Sequence, residues 1–358
     1  MGKKTKNLIM LSAATVAGIY AFNKFIEATS TKKNLLKEES GTFFEWKLGD
    51  IFYKKTGSGS PVLLIHDINV SSSSEEWSKI YKLLAKSHTV YVMDLIGCGR
   101  SDKPAIQYTN YMYVQLITDF INKVIKEKTD VISTNMSCSF TIMANNMNSD
   151  LFNNIILINP VSIGKLTEVP TNILRLKQKL YQLPLIGPFA YNIIHTQAKT
   201  DILFKTKYFK RSQLVSSKLV DTYYESAHLG SGNGRYLFSS LRANFMNINI
   251  KNAVKKLGNN VHIIASRDLK NNFSTTNEYY KTNRNISITN ISNGGLYPQL
   301  ETPDRVLSII KSIIKTNNTK IPLLSHEAEF FIFCINKFLR YIPIKFYITT
   351  YNLSKYLF

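Results

Sequence analysis

The run Val131-Ile132-Ser133-Thr134-Asn135-Met136-Ser137-Cys138 decides how the rest of the chain is read. Two β-branched apolar residues give way to small polar ones, and a segment with helical spacing follows, so the stretch reads as a strand that turns sharply into a helix. Ser133 and Ser137 flank the turn with side chains small enough for neighbouring chain to pass close by. Asn135, between them, accepts a positive φ more readily than most residues.

Outward from this turn, short apolar runs alternate with amphipathic segments. Upstream, FFEWKL (43–48), DIFYKK (50–55), PVLLIH (61–66) and TVYVMD (89–94) predict strands. A helix is predicted from Glu76 to Lys86, with Trp77, Ile80, Tyr81 and Leu84 on one face, and another from Tyr113 to Ile125. Downstream, NIILIN (154–159), VHIIAS (261–266) and SITNI (287–291) predict strands, and Val306, Ile310, Ile313 and Ile314 mark a helix from Pro303 to Lys315. Such alternation implies an α/β fold: a mostly parallel central sheet with helices on both faces. The core takes residues 43–160 and 248–320. Residues 161–247 interrupt the rhythm with helical segments broken at Pro184, Pro188 and Gly230–Gly234, which predicts an inserted helical cap.

At the N-terminal end, Lys3, Lys4 and Lys6 precede an uncharged run over 7–23. This is the pattern of a single-pass membrane anchor or a signal-peptide core. No A-x-A site follows, so residues 1–26 are read as an anchor and 27–42 as a charged linker. The lysines ahead of the run place the main domain outside the cytoplasm. The segment 321–358 sets Phe330, Phe331, Phe333, Phe338 and Leu339 against Asn336, Lys337 and Arg340, an aromatic and basic pattern that suits a membrane-surface helix or one packed over the domain.

Within 358 residues, 45 Lys and Arg face 24 Asp and Glu, a formal charge of +21. That balance favours anionic surfaces such as lipid headgroups. The basic residues are scattered rather than gathered in a tract, which argues against nucleic acid as the partner. Three cysteines without C-x-x-C spacing suggest neither a disulfide framework nor a zinc site, and no motif calls for a cofactor.

Five motifs in register then carry a resemblance. LLIHD (63–67), DLIGCGRSDKP (94–104), the turn at 133–137, SRD (266–268) and NGGLYPQLE (293–301) resemble the motifs of the α/β-hydrolase superfamily, in the cap-bearing branch of epoxide hydrolases and haloalkane dehalogenases. The resemblance implies a nucleophile elbow at 133–137, a histidine relay, an orienting carboxylate and an oxyanion hole. Only the carboxylate is kept, as Asp268. The nucleophile position holds Asn135, whose amide cannot attack a carbonyl, and the histidine position holds Leu296. The oxyanion loop reads His66-Asp67-Ile68, with Met136 supplying the other N–H, and it puts a carboxylate where the family has glycine.

The triad is therefore degenerate. One reading is a membrane-anchored pseudoenzyme whose pocket binds a small apolar ligand or a protein partner. The other is an active hydrolase of esters or similar small substrates, with Ser137 as the nucleophile or His228 as the imidazole. Cys138 is read as a small buried hydrophobe and His66 as a structural hydrogen-bonding residue.

Overall fold

The structure, a computed structural model, describes residues 3–36 and 40–315. In chain order the elements are α1 (Lys3–Ser30), β1 (Thr42–Trp46), β2 (Gly49–Thr56), β3 (Pro61–Ile65), α2 (Tyr81–Leu84), β4 (Thr89–Met93), α3 (Asn110–Phe120), β5 (Thr129–Thr134), α4 (Ser137–Met147) and β6 (Phe152–Ile158). A helical excursion follows: α5 (Asn172–Gln182), α6 (Ile186–Ile194), α7 (Gln197–Leu203), α8 (Ser217–His228) and α9 (Gly234–Arg242). The chain then returns through α10 (Lys251–Lys255), β7 (Val261–Ser266), α11 (Asn272–Thr282), β8 (Ser287–Ile291), α12 (Pro298–Glu301) and α13 (Pro303–Lys315).

The strands form one sheet in the order β1-β2-β4-β3-β5-β6-β7-β8. β1, β2 and β4 are joined antiparallel, and every pairing from β4 to β8 is parallel. Side chains alternate between two apolar layers, as the strand period requires. Leu63, Ile65, Val131 and Leu157 pack with Val114 and Ile117 of α3 and Phe140 of α4. Val62, Leu64, Ile132 and Ile156 face the other way, onto Trp77, Ile80 and the Val306, Ile310 and Ile314 ridge of α13. Burial on both faces is why these strands read as continuous apolar runs.

Two local expectations are corrected. The helix expected over Glu76–Lys86 is a short 3₁₀ turn (Ser74–Trp77) followed by the single turn α2. Glu76 is the reason, because its side chain is drawn inward to accept hydrogen bonds from the backbone of Asp67 and the hydroxyl of Thr134. The linker expected over 27–42 is also shorter and less free. α1 continues to Ser30, and the N–H groups of Leu35 and Leu36 both donate, at 3.1 Å, to the carboxylate of Glu225, a buried residue of α8.

The single-pass anchor is not confirmed: no helix of the described residues is long and apolar enough to cross a membrane. Asn23, Lys24 and Glu27 interrupt the apolar surface of α1 within the helix itself, and its second half is committed to protein contacts. Phe22 meets Phe189 edge to face at 5.4 Å. The Asn23 amide donates to the carbonyl of Leu185 and accepts from Asn192. The expectation for 321–358 falls outside the described residues.

Candidate active site

β5 ends at Thr134, α4 begins at Ser137, and Asn135 takes the turn between them with φ of 45°. The bend is held by the Asn135 N–H, which donates to Ile158 O on the neighbouring strand at 2.9 Å. Ser133 and Ser137 on either side are fully buried, so the small side chains expected there are needed for packing. Asparagine is among the few residues that hold this left-handed conformation cheaply.

What fills the space above the turn is the carboxylate of Asp67. Its Oδ1 accepts the Met136 N–H at 3.2 Å, and its Oδ2 accepts Asn135 Nδ2 at 3.1 Å and the Tyr297 hydroxyl at 3.0 Å. The neighbouring Ile68 N–H also favours its charged form. Burial raises the Asp67 pKa, and these donors pull the other way by favouring the charged form.

Beneath Asp67 lies a second buried acid. Glu76 accepts the Asp67 N–H at 3.1 Å, Thr134 Oγ1 at 2.6 Å and Gln299 Nε2 at 2.8 Å. Burial, reinforced by the charge of Asp67, pushes its pKa up to about 8. Two adjacent buried carboxylates cannot both ionise cheaply. Glu76, its pKa raised to about 8, is the one that keeps its proton at neutral pH, which leaves the negative charge to Asp67.

A family model described as alpha/beta hydrolase fold matches residues 60–178. A curated relative, the 2-hydroxy-6-oxo-6-(2'-aminophenyl)hexa-2,4-dienoic acid hydrolase of Metapseudomonas resinovorans, is 29% identical over 119 residues, covering 33% of this chain and 40% of that protein. The chain thus spans about two fifths of the length of the curated relatives it matches. Among solved structures, a serine hydrolase involved in carbazole degradation aligns with a TM-score of 0.63 at 18% identity, over 77% of this chain and 98% of that one. A membrane phospholipase A described as a bacterial virulence factor aligns with a TM-score of 0.62 at 16% identity, over 89% of this chain and all of that one.

The chain has the α/β-hydrolase fold.

In an α/β-hydrolase, the N–H of the residue after the nucleophile and an N–H from the loop after β3 form the oxyanion hole. At the equivalent positions of this chain stand Met136 and Ile68; the Met136 N–H donates to Asp67, and the Ile68 N–H favours its charged form. The charge conflict expected at Asp67 takes a specific form: the carboxylate occupies the place of the oxyanion.

The other residues singled out in the sequence are dispersed. Asp268 is exposed; it accepts the Asn293 N–H at 2.7 Å and lies 3.9 Å from Lys210 Nζ. Leu296 packs into an aromatic cluster with Phe204, Phe209, Tyr223 and Tyr297, and its N–H donates to Tyr208 O. His66 is fully buried, with Nδ1 against Asp67 O and Nε2 accepting the Leu95 N–H, which sets the Nδ1–H tautomer and makes it a structural strut.

The substitute nucleophiles are engaged elsewhere. Ser137 Oγ is buried and donates to His66 O at 2.7 Å. Burial also pushes the Cys138 thiol far above its ordinary range, so it is unreactive at neutral pH. His228 bonds Tyr224 O within its own helix and lines a cavity with Tyr20 and Asn23 of α1 rather than the elbow.

The tyrosines were not anticipated from the sequence. Tyr297 and Tyr208, with ring centroids 4.9 Å apart, close the space over Asp67, and the Tyr208 hydroxyl accepts from Asn69 Nδ2 at 3.2 Å. Beside them lies a cavity of about 290 Å³, lined by apolar residues such as Ile68, Leu203, Phe204 and Phe238, by polar Asn69, His195 and Tyr223, and by the cations Lys199 and Arg242. Burial lowers the His195 pKa to about 4, so its imidazole is neutral. The Tyr223 hydroxyl is buried and has no hydrogen-bond partner among the described residues.

Proposed function

We propose that this α/β-hydrolase-family protein has given up covalent hydrolysis and binds a small, mainly apolar ligand in the cavity between cap and sheet, while associating with lipid through α1. One observation carries the reading: the Asp67 carboxylate takes the donors that would stabilise an oxyanion. A substrate carbonyl would have to displace a buried charge held by three hydrogen bonds, and Asn135 offers no nucleophile once it arrived.

The size and lining of the cavity support a small ligand with an apolar body and a polar end, which the unpartnered Tyr223 hydroxyl and the Lys199 and Arg242 side chains would satisfy. The matched relative is named for hydrolysis of a small organic acid, which fits a pocket of this kind. Lipid association is supported by Met10, Leu11, Val16 and Tyr20 of α1, all exposed, and by the +21 charge of the chain.

Titration with 2-naphthol, followed by its fluorescence, tests the ligand site. Saturable binding by the native chain and its loss in Leu203→Trp, which fills the cavity from α7, is the expected outcome. Equal binding by the two proteins would place the ligand elsewhere.

A further inference from the structure

The cap helix α5 is oriented with its apolar edge outward. Thr171 caps it, accepting the Leu174 N–H at 3.3 Å. Its inner face packs on α9, with Tyr181 edge-on to Phe238 at 5.1 Å and Gln182 Nε2 donating to Ser239 Oγ, and Gln178 is buried. Ile173, Leu176, Leu180 and Leu183 recur at intervals of three, four and three residues, which puts them on one side of the helix. That side is in solvent: the four are 68%, 63%, 52% and 41% exposed, and Val169 at 70% and Ile186 at 54% extend the ridge at either end.

Charge tells what would cover it. At about 100° per residue, Lys177 falls along one margin of the ridge and Lys179 along the other. Both are exposed, and α5 contains no acidic residue. A second copy of this ridge would bring like charges together. An anionic bilayer surface would not, since the leucines and isoleucines enter the acyl boundary while the lysine stems reach back to the headgroups.

We propose that the α5 ridge, Val169 to Ile186, is a docking surface for anionic lipid. α1 meets the cap next to the end of this ridge, where Asn23 bonds Leu185 O. The ridge adds a second attachment to the lipid association proposed for α1, and it rests on that reading.

The test uses the full chain carrying Cys334→Ser, in which Cys98 and Cys138 are buried. An NBD fluorophore is placed at Leu176→Cys, and, as a control, at Ser149→Cys, an exposed position on the core. Phosphatidylglycerol and phosphatidylcholine vesicles are compared by flotation and by NBD emission with doxyl-lipid quenching.

The expected result is flotation with phosphatidylglycerol, a blue shift and quenching at 176 but not at 149, and at least tenfold weaker binding for Lys177→Glu/Lys179→Glu. Flotation with the probe at 176 still in water would overturn the ridge proposal and leave the α1 attachment standing. No flotation at all would overturn both. A blue shift that grows with protein concentration in the absence of vesicles would make the occupant a second copy of the chain and overturn the lipid assignment.

Discussion

The carboxylate of Asp67 accepts the backbone N–H of Met136 at 3.2 Å, across 69 positions of sequence. That N–H is one of the two donors an α/β-hydrolase presents to its substrate. The protein has kept the strained turn that displays the donor and supplied its own anion to it.

The first consequence concerns repair. Asn135→Ser alone is expected to give no turnover of p-nitrophenyl acetate, since the histidine position holds Leu296 and Asp67 still fills the hole. Adding Leu296→His leaves the hole occupied. The triple variant with Asp67→Gly should be the most active of the series, yet about 10⁴-fold below an intact triad, because Asp268 is turned to Asn293 and cannot orient the new histidine. Robust esterase activity from Asn135→Ser alone would show that Leu296 does not hold the histidine position.

Tyr297→Phe removes one donor from a buried carboxylate and leaves the ring in place. A hydrogen bond to a charged group is worth about 1.5–3 kcal/mol. Urea unfolding should register a loss of that size; an unchanged midpoint would mean that Asp67 is not charged in the folded state.

Glu76 makes stability depend on pH. Its pKa rises from an unfolded value of 4.5 to about 8 on folding, so above pH 4.5 the unfolded chain gives up a proton that the folded chain keeps. The stabilisation is therefore complete below 4.5 and is lost as pH rises toward 8, at up to about 1.4 kcal/mol per pH unit. Glu76→Gln should flatten this part of the curve, as followed by denaturant midpoints from pH 5 to 8.

These sites differ in how visibly they are written in the chain. The parallel core was legible because strands buried on both faces must be continuously apolar, as in Val62-Leu63-Leu64-Ile65 and Ile155–Ile158. The elbow was legible from Ser133, Asn135 and Ser137, whose sizes and φ tolerance are local properties. Glu76 was not: in sequence it stands in a charged, helix-like stretch, and only contacts with Thr134 and Gln299, 58 and 223 positions away, show it to be interior. Tyr297 hid in the same way beside the lost histidine. For the span expected over 7–23, local hydropathy likewise does not report that Asn23 is engaged by the cap.

Gly295→Ala tests the junction between the lost histidine loop and the cap. A Cβ there would lie 2.2 Å from Tyr208 O, a backbone atom that cannot swing aside. The loop or the cap must move, at an expected cost of about 1–3 kcal/mol. Limited proteolysis should then cut preferentially near 205–211, where the Glu301 carboxylate otherwise holds the Lys210 and Arg211 N–H groups.

The central claim, that the elbow has no activated nucleophile because Asp67 occupies its donors, is tested most directly by treating the purified native chain with a fluorophosphonate and weighing it intact. The account predicts no adduct under conditions that fully label a serine hydrolase. A stoichiometric adduct that disappears in Ser137→Ala would contradict it.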